Sequence, residues 1–448
     1  MIHSLDPLAV DGPLDRDVST ISCDVRSARP GSLYVAAPGL APAAAERVLE
    51  AEERGVSAVI CERRPHLPGP ATRICVRDAR EALARVSASF YEHPAAQLRL
   101  IGVAGGRARA PLAYILRHLF EAAGRPAGLL GTLGHRLGKR FIPAPRWSPT
   151  ALEIHPMLAG LLRGGLRTCL VEITPELVAS RQLAGLGFDT VVHAPGGGDC
   201  GLPAADGPQR PRAVRLASAP SLSPFDRSTL HAGGSAARMY VAGRQVTVRV
   251  PVTGRSLLRL ACAAVEAGVA CGLDLDSMLR ALAELPPVPG HLEPVPGTRD
   301  FGVFADAASD ADGLRSALAD LRELAHGRLL VLLGASAAAG TAGARELGRV
   351  AARIADHVVV TTHNPGRECP ARLARALVAG LEDFAPPIHQ TVLDRRLAIA
   401  AILREAQPGD LVLLAGKGHA AYQEYDDAVA PFDDRLHAAA ALEERRAR

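Results

Sequence analysis

Residues 100–120 read LIGVAGGRARAPLAYILRHLF, and the fold of the chain is decided there. A short apolar run, a Gly-Gly turn and an amphipathic segment follow one another, which predicts a buried strand, a tight loop and a helix. That is the layout of a phosphate-binding loop, in which backbone N–H groups and a helix N-terminus receive an anion. Gly102, Gly105, Gly106 and Arg109 are the nucleotide-binding candidates. Such a loop should close on Gly-Lys-Thr or Gly-Lys-Ser, but this one reads Ala108-Arg109-Ala110-Pro111. Arg109 keeps the positive charge as a bulky planar fork instead of a compact ammonium. Ala110 has no hydroxyl for magnesium. Ala108 adds a Cβ where backbone should approach phosphate. Pro111 brings no N–H and is ordinary first-turn helix chemistry. The stretch therefore predicts the shape of a nucleotide loop without support for ATP turnover.

The 448 residues suggest two to four domains. Hydrophobic residues make up 48% and charged residues 22%, enough for ample globular cores, and with aromatics at 4% those cores are built from Ala, Leu and Val. The net charge of +4 is spread without a Lys/Arg run, which argues against nucleic acid as a partner. None of the eight cysteines forms a C-x-x-C pair, so no metal site is nominated; they read as small buried residues in a reducing compartment. The N-terminus lacks a signal pattern, and no apolar window is long enough to span a membrane. A cytoplasmic protein is expected.

Three domains are predicted. Residues 1–97 alternate strands (SLYVAAPG, VSAVICE) with helices (AAERVLEAEERG, AREALARVSASFYEHP) as a small α/β domain. Residues 98–293 hold the quoted loop, a helix interrupted by Pro156, the strand RTCLVEIT, a hairpin around Gly243-Arg244 and two helices. Residues 294–448 alternate strands (FGVFADA, RLLVLLGAS, HVVVTT, DLVLLAG) with helices of 10–15 residues, the pattern of a parallel, doubly wound, Rossmann-like sheet. No G-x-G-x-x-G follows the first strand of this third domain, so a dinucleotide site has no local support.

In order, these segments resemble the Mur ligases, and within them the muramyl-tripeptide synthetases of the MurE type. CDVRSARPGSLYVAAPG is similar to an N-terminal UDP-sugar signature, and FYEHPAAQLRLIGVAGG to the entry of the ATP loop. SPTALEIHPMLAGLLRGGLRTCLVEIT resembles the T-T-P segment with its Glu-bearing strand, and VPGHLEPV the junction before the third domain. DRRLAIAAIL, GDLVLLAGKGHAAYQ and PFDDR resemble the C-terminal signatures. The resemblance implies a three-domain α/β ligase architecture and an activity in which ATP activates a carboxylate on a UDP-muramyl peptide as an acyl phosphate for attack by an amino acid. It also implies site residues. Asp24 and Arg26 would bind the UDP substrate, Glu172 stands where the family has a magnesium ligand, Asp199 stands where it has the Asp of an Asp-His pair, Asn364, Pro365 and Arg367 would select the amino acid, and Lys417 and His419 lie in the ligase signature.

Against that pattern the chain departs repeatedly. Thr174-Pro175-Glu176 replaces Ser-Ser-His, Cys200 replaces a His, and no Lys occurs between Gly201 and Gly254, where the family carries a carbamylated lysine. DAASDAD (306–312) lacks the family's Tyr and His, and GASAAAGTAGARELG (334–348) replaces a loop dense in charge. Val25 stands for a Ser, and Arg367 falls one place late. One lost transition-state donor costs about 3–4 kcal/mol, so several leave little catalysis. The leading expectation is a degenerate homologue without cofactor that binds or regulates an active Mur ligase or another biosynthetic enzyme. The alternative is an active ATP- and magnesium-dependent amide ligase with rebuilt loops, supported by Arg109, Glu172, Asp199, Lys417 and His419. A third reading is a small-molecule binder that uses Asp24, Arg26 and the 102–109 loop. Thr174 or Ser180 near His193 does not make a hydrolase, since no G-x-S-x-G is present. For the C-terminal signatures two roles are open: Asp433, Asp434 and Arg435 pair with each other or with Lys417, or Lys417 and His419 line a cleft for an anion.

Overall fold

The computed structural model describes residues 4–39, 47–63, 69–144, 149–195, 212–216, 229–231, 234–297, 300–384, 387–426 and 428–446. These fall into two compact units, those within 1–113 and 120–216, and those within 114–119 and 217–448.

The first unit holds two sheets. Strands β1 (Ala9–Asp11), β2 (Thr20–Ser22), β3 (Ser32–Val35), β4 (Ala58–Cys61) and β5 (Thr72–Cys75) lie in the order β1-β5-β4-β3-β2, parallel except for β1. Helices α1 (Val48–Glu53) and α2 (Ala79–Phe90) accompany them. Asp78 caps α2 by accepting from the N–H groups of Arg80 and Glu81.

The second sheet of that unit carries the quoted stretch. Strand β6 (Arg99–Ala104) leads through the loop into α3 (Arg109–Ala122). Five parallel strands run β12-β11-β6-β10-β7, extended by antiparallel β8 and β9. They are β7 (Ala127–Leu130), β8 (His135–Leu137), β9 (Arg140–Ile142), β10 (Thr168–Ile173), β11 (Thr190–His193) and β12 (Arg212–Arg215). β6 and β10 are nearly all apolar because both faces are covered. α4 (Ala151–Arg163) and α5 (Pro175–Ala179) complete this part. Pro156 does not interrupt α4. The helix runs through it, started by a Thr150–Glu153 capping box and anchored by buried Ile154, Leu158 and Leu161. That packing outweighs the one helical hydrogen bond the proline removes.

The second unit begins with an antiparallel sheet of β13 (Thr229–His231), β14 (Gly234–Val241) and β15 (Arg244–Val250). The hairpin turn is Ala242-Gly243, one residue earlier than the sequence suggests. Both residues have positive φ, 49° and 74°, as a two-residue turn between right-twisted strands requires. α6 (Arg255–Ala270) and α7 (Leu275–Ala283) follow. The N-terminus of α6 has no side-chain cap of its own; Asp320 accepts from the Ser256 N–H at 3.1 Å instead.

The last sheet runs β16-β17-β21-β18-β19-β20, parallel apart from the short β16. Its elements are β16 (Glu293–Pro294), β17 (Gly302–Asp306), α8 (Ala311–Arg322), β18 (Leu329–Ala335), α9 (Gly340–Ile354), β19 (His357–Thr362), α10 (Pro370–Glu382), β20 (Ile388–Thr391), α11 (Arg395–Glu405) and β21 (Leu411–Ala415). A hairpin of β22 (Tyr422–Glu424) and β23 (Val429–Pro431) and helix α12 (Asp434–Arg446) end the chain's described part. Val331 and Leu333 pack with α8, α9 and α10, while Leu330 and Leu332 pack with α11 and α12. The alternation of one strand thus serves both faces of a doubly wound sheet.

Candidate functional site

Gly105 is where the quoted loop leaves β6. Its φ is +110°, and a Cβ there would sit 3.1–3.2 Å from Ala194, so glycine is required. Gly106 has open space around its Cα. Gly102 lies inside β6, where a side chain would collide with Ile173 of β10, so its smallness serves packing between strands. Pro111 sits in the first turn of α3 and is buried.

Arg109 does not point away from the protein. Its Nε donates to Glu172 Oε1 at 2.7 Å, and its Nη1 donates to the Gly106 carbonyl at 2.9 Å. Glu172, on β10, pairs in register with Val103 of β6. Its Oε2 also accepts from the Thr132 N–H at 2.7 Å and the Thr132 hydroxyl at 2.8 Å. Thr132 follows β7, which flanks β10 on its other side. Three parallel strand ends thus bring a guanidinium, a carboxylate and a threonine together. The Glu172 side chain is 2% exposed and that of Arg109 18%. Both carboxylate oxygens are held by protein donors, and Ala110 contributes no oxygen.

Elsewhere in this unit the nominated polar residues serve the backbone. Thr174 caps α5, accepting from the Leu177 N–H at 3.1 Å, and the Ser180 hydroxyl donates to the Leu177 carbonyl. Asp24 caps the short turn Val25–Ser27 and takes the Arg26 guanidinium, with its closest contact at 2.6 Å. The hydrogen bonds from Arg26 hold the Asp24 carboxyl at about 2. The two UDP-site candidates therefore form an ion pair at the surface, the Arg26 side chain being 73% exposed. Asp199 and Cys200 lie outside the described residues. Among the described residues no group of three or more His, Cys, Asp or Glu side chains gathers as a cation site.

In the second unit Lys417 is buried, with 2% exposure. Its Nζ donates to Asn364 Oδ1 at 3.0 Å and to the Tyr422 carbonyl, beneath the Phe432 ring at 5.6 Å. Burial, helped by the Arg395 charge, brings its pKa down to about 7. Asn364 sits at φ 37° and its Oδ1 also accepts from the Glu424 N–H. Lys417 and Asn364 thus tie the loop after β19 to the final hairpin. Pro365 follows in that loop, and Arg367 is 90% exposed and reaches Asp426. The flanking glycines are forced: a Cβ on Gly416 would sit 2.9 Å from His363 Nδ1, and one on Gly418 2.7 Å from Ala307. His419 packs its backbone against Gly290, and its carbonyl accepts from Arg435 at 3.4 Å.

Asp434 pairs neither with Lys417 nor with Arg435. Its carboxylate takes the Arg395 guanidinium at 2.6 and 2.8 Å, both side chains being buried, while Arg435 pairs with Asp433 and Glu293. Arg395 also donates to the Ala415 carbonyl at the end of β21. Thr132 and Arg395 are the two residues that sequence reasoning missed. The Gly-Thr pair directly after a strand, and an Arg opening a helix, were the available signals.

Three comparisons with known proteins bear on this geometry. Residues 291–418 match the family model "Mur ligase, glutamate ligase domain". The UDP-N-acetylmuramoyl-L-alanyl-D-glutamate--2,6-diaminopimelate ligase of Gloeobacter violaceus is 30% identical over 97% of this chain and 96% of its own. The protein of the same name from Syntrophomonas wolfei is 28% identical over 99% and 98%. Among solved structures, a ligase of that name superposes with a TM-score of 0.63 at 19% identity, covering 98% of both chains. MurF ligase from Thermotoga maritima gives 0.60 at 15% identity, covering 97% of this chain and 100% of its own. The fold and the full-length similarity agree: the chain belongs to the Mur ligase family.

Proposed function

We propose that this chain is a Mur ligase homologue that no longer turns over ATP and works as a binding or regulatory partner of an active Mur ligase or another biosynthetic enzyme. The observation that carries this reading is the contact of Arg109 with Glu172. In phosphoryl-transfer sites of this layout the loop cation faces phosphate and the strand carboxylate faces the magnesium shell. Here the cation and the carboxylate satisfy each other, and Thr132 takes the remaining oxygen. Turning Arg109 toward a phosphate would strand a carboxylate that is 2% exposed; losing one partner of a buried pair costs about 3–5 kcal/mol. With no oxygen at Ala110 and no free side of Glu172, the residues present do not suit a magnesium–ATP complex.

The competing reading is an active ligase joining an amino acid to a UDP-muramyl peptide or a related carboxylate. The full-length similarity to diaminopimelate ligases favours it. One experiment separates the two: calorimetry with ATP and magnesium, beside an ADP-release assay containing the dipeptide substrate and 2,6-diaminopimelate. The expected result is no binding heat and no ADP. A thermal-shift control is sensitive enough, since ATP at a hundred times its dissociation constant would add about 2.7 kcal/mol. Magnesium-dependent binding with ADP release that needs both substrates would overturn the proposal.

A further inference from the structure

Cys61 and Cys75 are register partners on the adjacent parallel strands β4 and β5. Neighbouring strands lie about 4.8 Å apart, within the roughly 4.4–6.8 Å between Cα atoms that a disulfide spans. The pleat sets both side chains on one face. Ile60 and Ile74 join the apolar cluster on one side of the sheet, whereas Val59 and Cys61 join the cluster on the other, with Tyr34 and Ala51. Cys75 alternates with Ile74 and so shares the face of Cys61. Its thiol leans toward the neighbouring strand, donating to the Glu62 carbonyl, next to Cys61, at 3.5 Å. Cys61 is buried and Cys75 half-buried.

We propose that Cys61 and Cys75 are a redox modification site, a dithiol that closes to a disulfide on reaction with a low-molecular-weight disulfide. Cys75, the more accessible, enters first. Its thiolate attacks one sulfur of the reagent, forms a mixed disulfide and expels one thiolate. The Cys61 thiolate then attacks the Cys75 sulfur, forms the internal disulfide and expels the second thiolate. The protein pair loses two electrons, the reagent gains them, and the two protons from the protein thiols end on the two released thiols. Burial pushes the Cys61 thiol up to about 11, so the second step is the slow one. In a reducing compartment the pair rests open, and such pairs serve transient or sensing roles. The site is separate from the loop at Arg109 and does not depend on how that loop is read.

The test uses the native full-length chain in buffers of graded reduced and oxidised glutathione, quenched by alkylation, digested and mapped by mass spectrometry. The expected result is a peptide pair joined through Cys61 and Cys75, increasing with the oxidised fraction and released by dithiothreitol. In Cys61→Ser the expected product is glutathione held on Cys75; in Cys75→Ser, Cys61 stays unmodified. The wild-type map needs no variant to fold. Cross-links through other cysteines, wild-type Cys75 that stops at the glutathione adduct, or no reaction at either thiol would each overturn the proposal.

Discussion

Arg109 and Glu172 are unequal partners. The guanidinium keeps a path to water at 18% exposure, and the carboxylate has almost none at 2%. Removing the arginine therefore strands a buried charge, whereas neutralising the carboxylate lets the arginine turn outward. Arg109→Met is expected to cost about 3–5 kcal/mol, and Glu172→Gln about 1–2 kcal/mol. The double variant should cost less than the sum of the two, with a coupling of at least about 1 kcal/mol in urea unfolding. Equal single costs that simply add would show that the pair carries no such asymmetry. The residue at 109 was legible as a departure from lysine. Its destination was not, because Thr132 and Glu172 are brought beside it only by the order of β6, β10 and β7. The same holds for Asp434, whose partner lies 39 residues earlier in the chain.

Helix α6 shows the limit of local reading. Its apolar period marks it in the sequence, yet its cap comes from Asp320 on α8, 64 residues away. Gly254 at the helix start has φ +97°, and a Cβ there would meet Asp320 Oδ2 at 2.7 Å. The glycine therefore leaves room for the carboxylate that caps the helix. Asp320→Ala is expected to lower stability by about 1–2 kcal/mol, read by denaturant unfolding, while Asp276→Ala on the exposed surface of α7 should change it little. Helix α10 is legible in the sequence. Pro370 opens it and Leu373, Leu377 and Leu381 recur every four residues on its buried face. Its close seating on α9 was not readable. Gly348 and Gly380 each lie against the partner helix's backbone, where any side chain would collide.

Across the molecule, buried histidines contribute to the loss of stability in mild acid. His155 is fully buried, and neither ring nitrogen has a hydrogen-bond partner among the described residues. Burial brings its pKa down to about 4. Burial lowers His135 and His363 in the same direction. Between about pH 4 and 6.5 the unfolded chain takes up protons at His155 that the folded chain refuses, so unfolding free energy falls as pH falls. The contribution is complete above the ordinary histidine value. Lys417 extends the trend: its folded value of about 7 lies below the ordinary 10.5, so the unfolded chain again binds more protons and stability rises with pH above neutrality. The melting temperature is therefore expected to climb from pH 4 to 6.5 and onward past 7. His155→Gln should flatten the acid limb and Lys417→Met the alkaline one. A profile flat across both windows would refute this account. At this scale the sequence was most legible, since strand and helix alternation announces the doubly wound sheet, and least legible where burial alone decides a charge.

The guanidinium beside Glu172 also alters which substitutions the loop can accept. Lysine at 109 would put a compact ammonium in a place shaped for a fork that bonds a carboxylate and the Gly106 carbonyl at once. Threonine at 110 alone would add a hydroxyl but would not free the Glu172 carboxylate from Arg109. Each change toward a Gly-Lys-Thr loop is made against a contact that already holds, and neither substitution compensates for the other. Arg109, Glu172 and Thr132 are thus one epistatic unit: they share a single set of hydrogen bonds, so a substitution at one changes the cost of a substitution at either of the others.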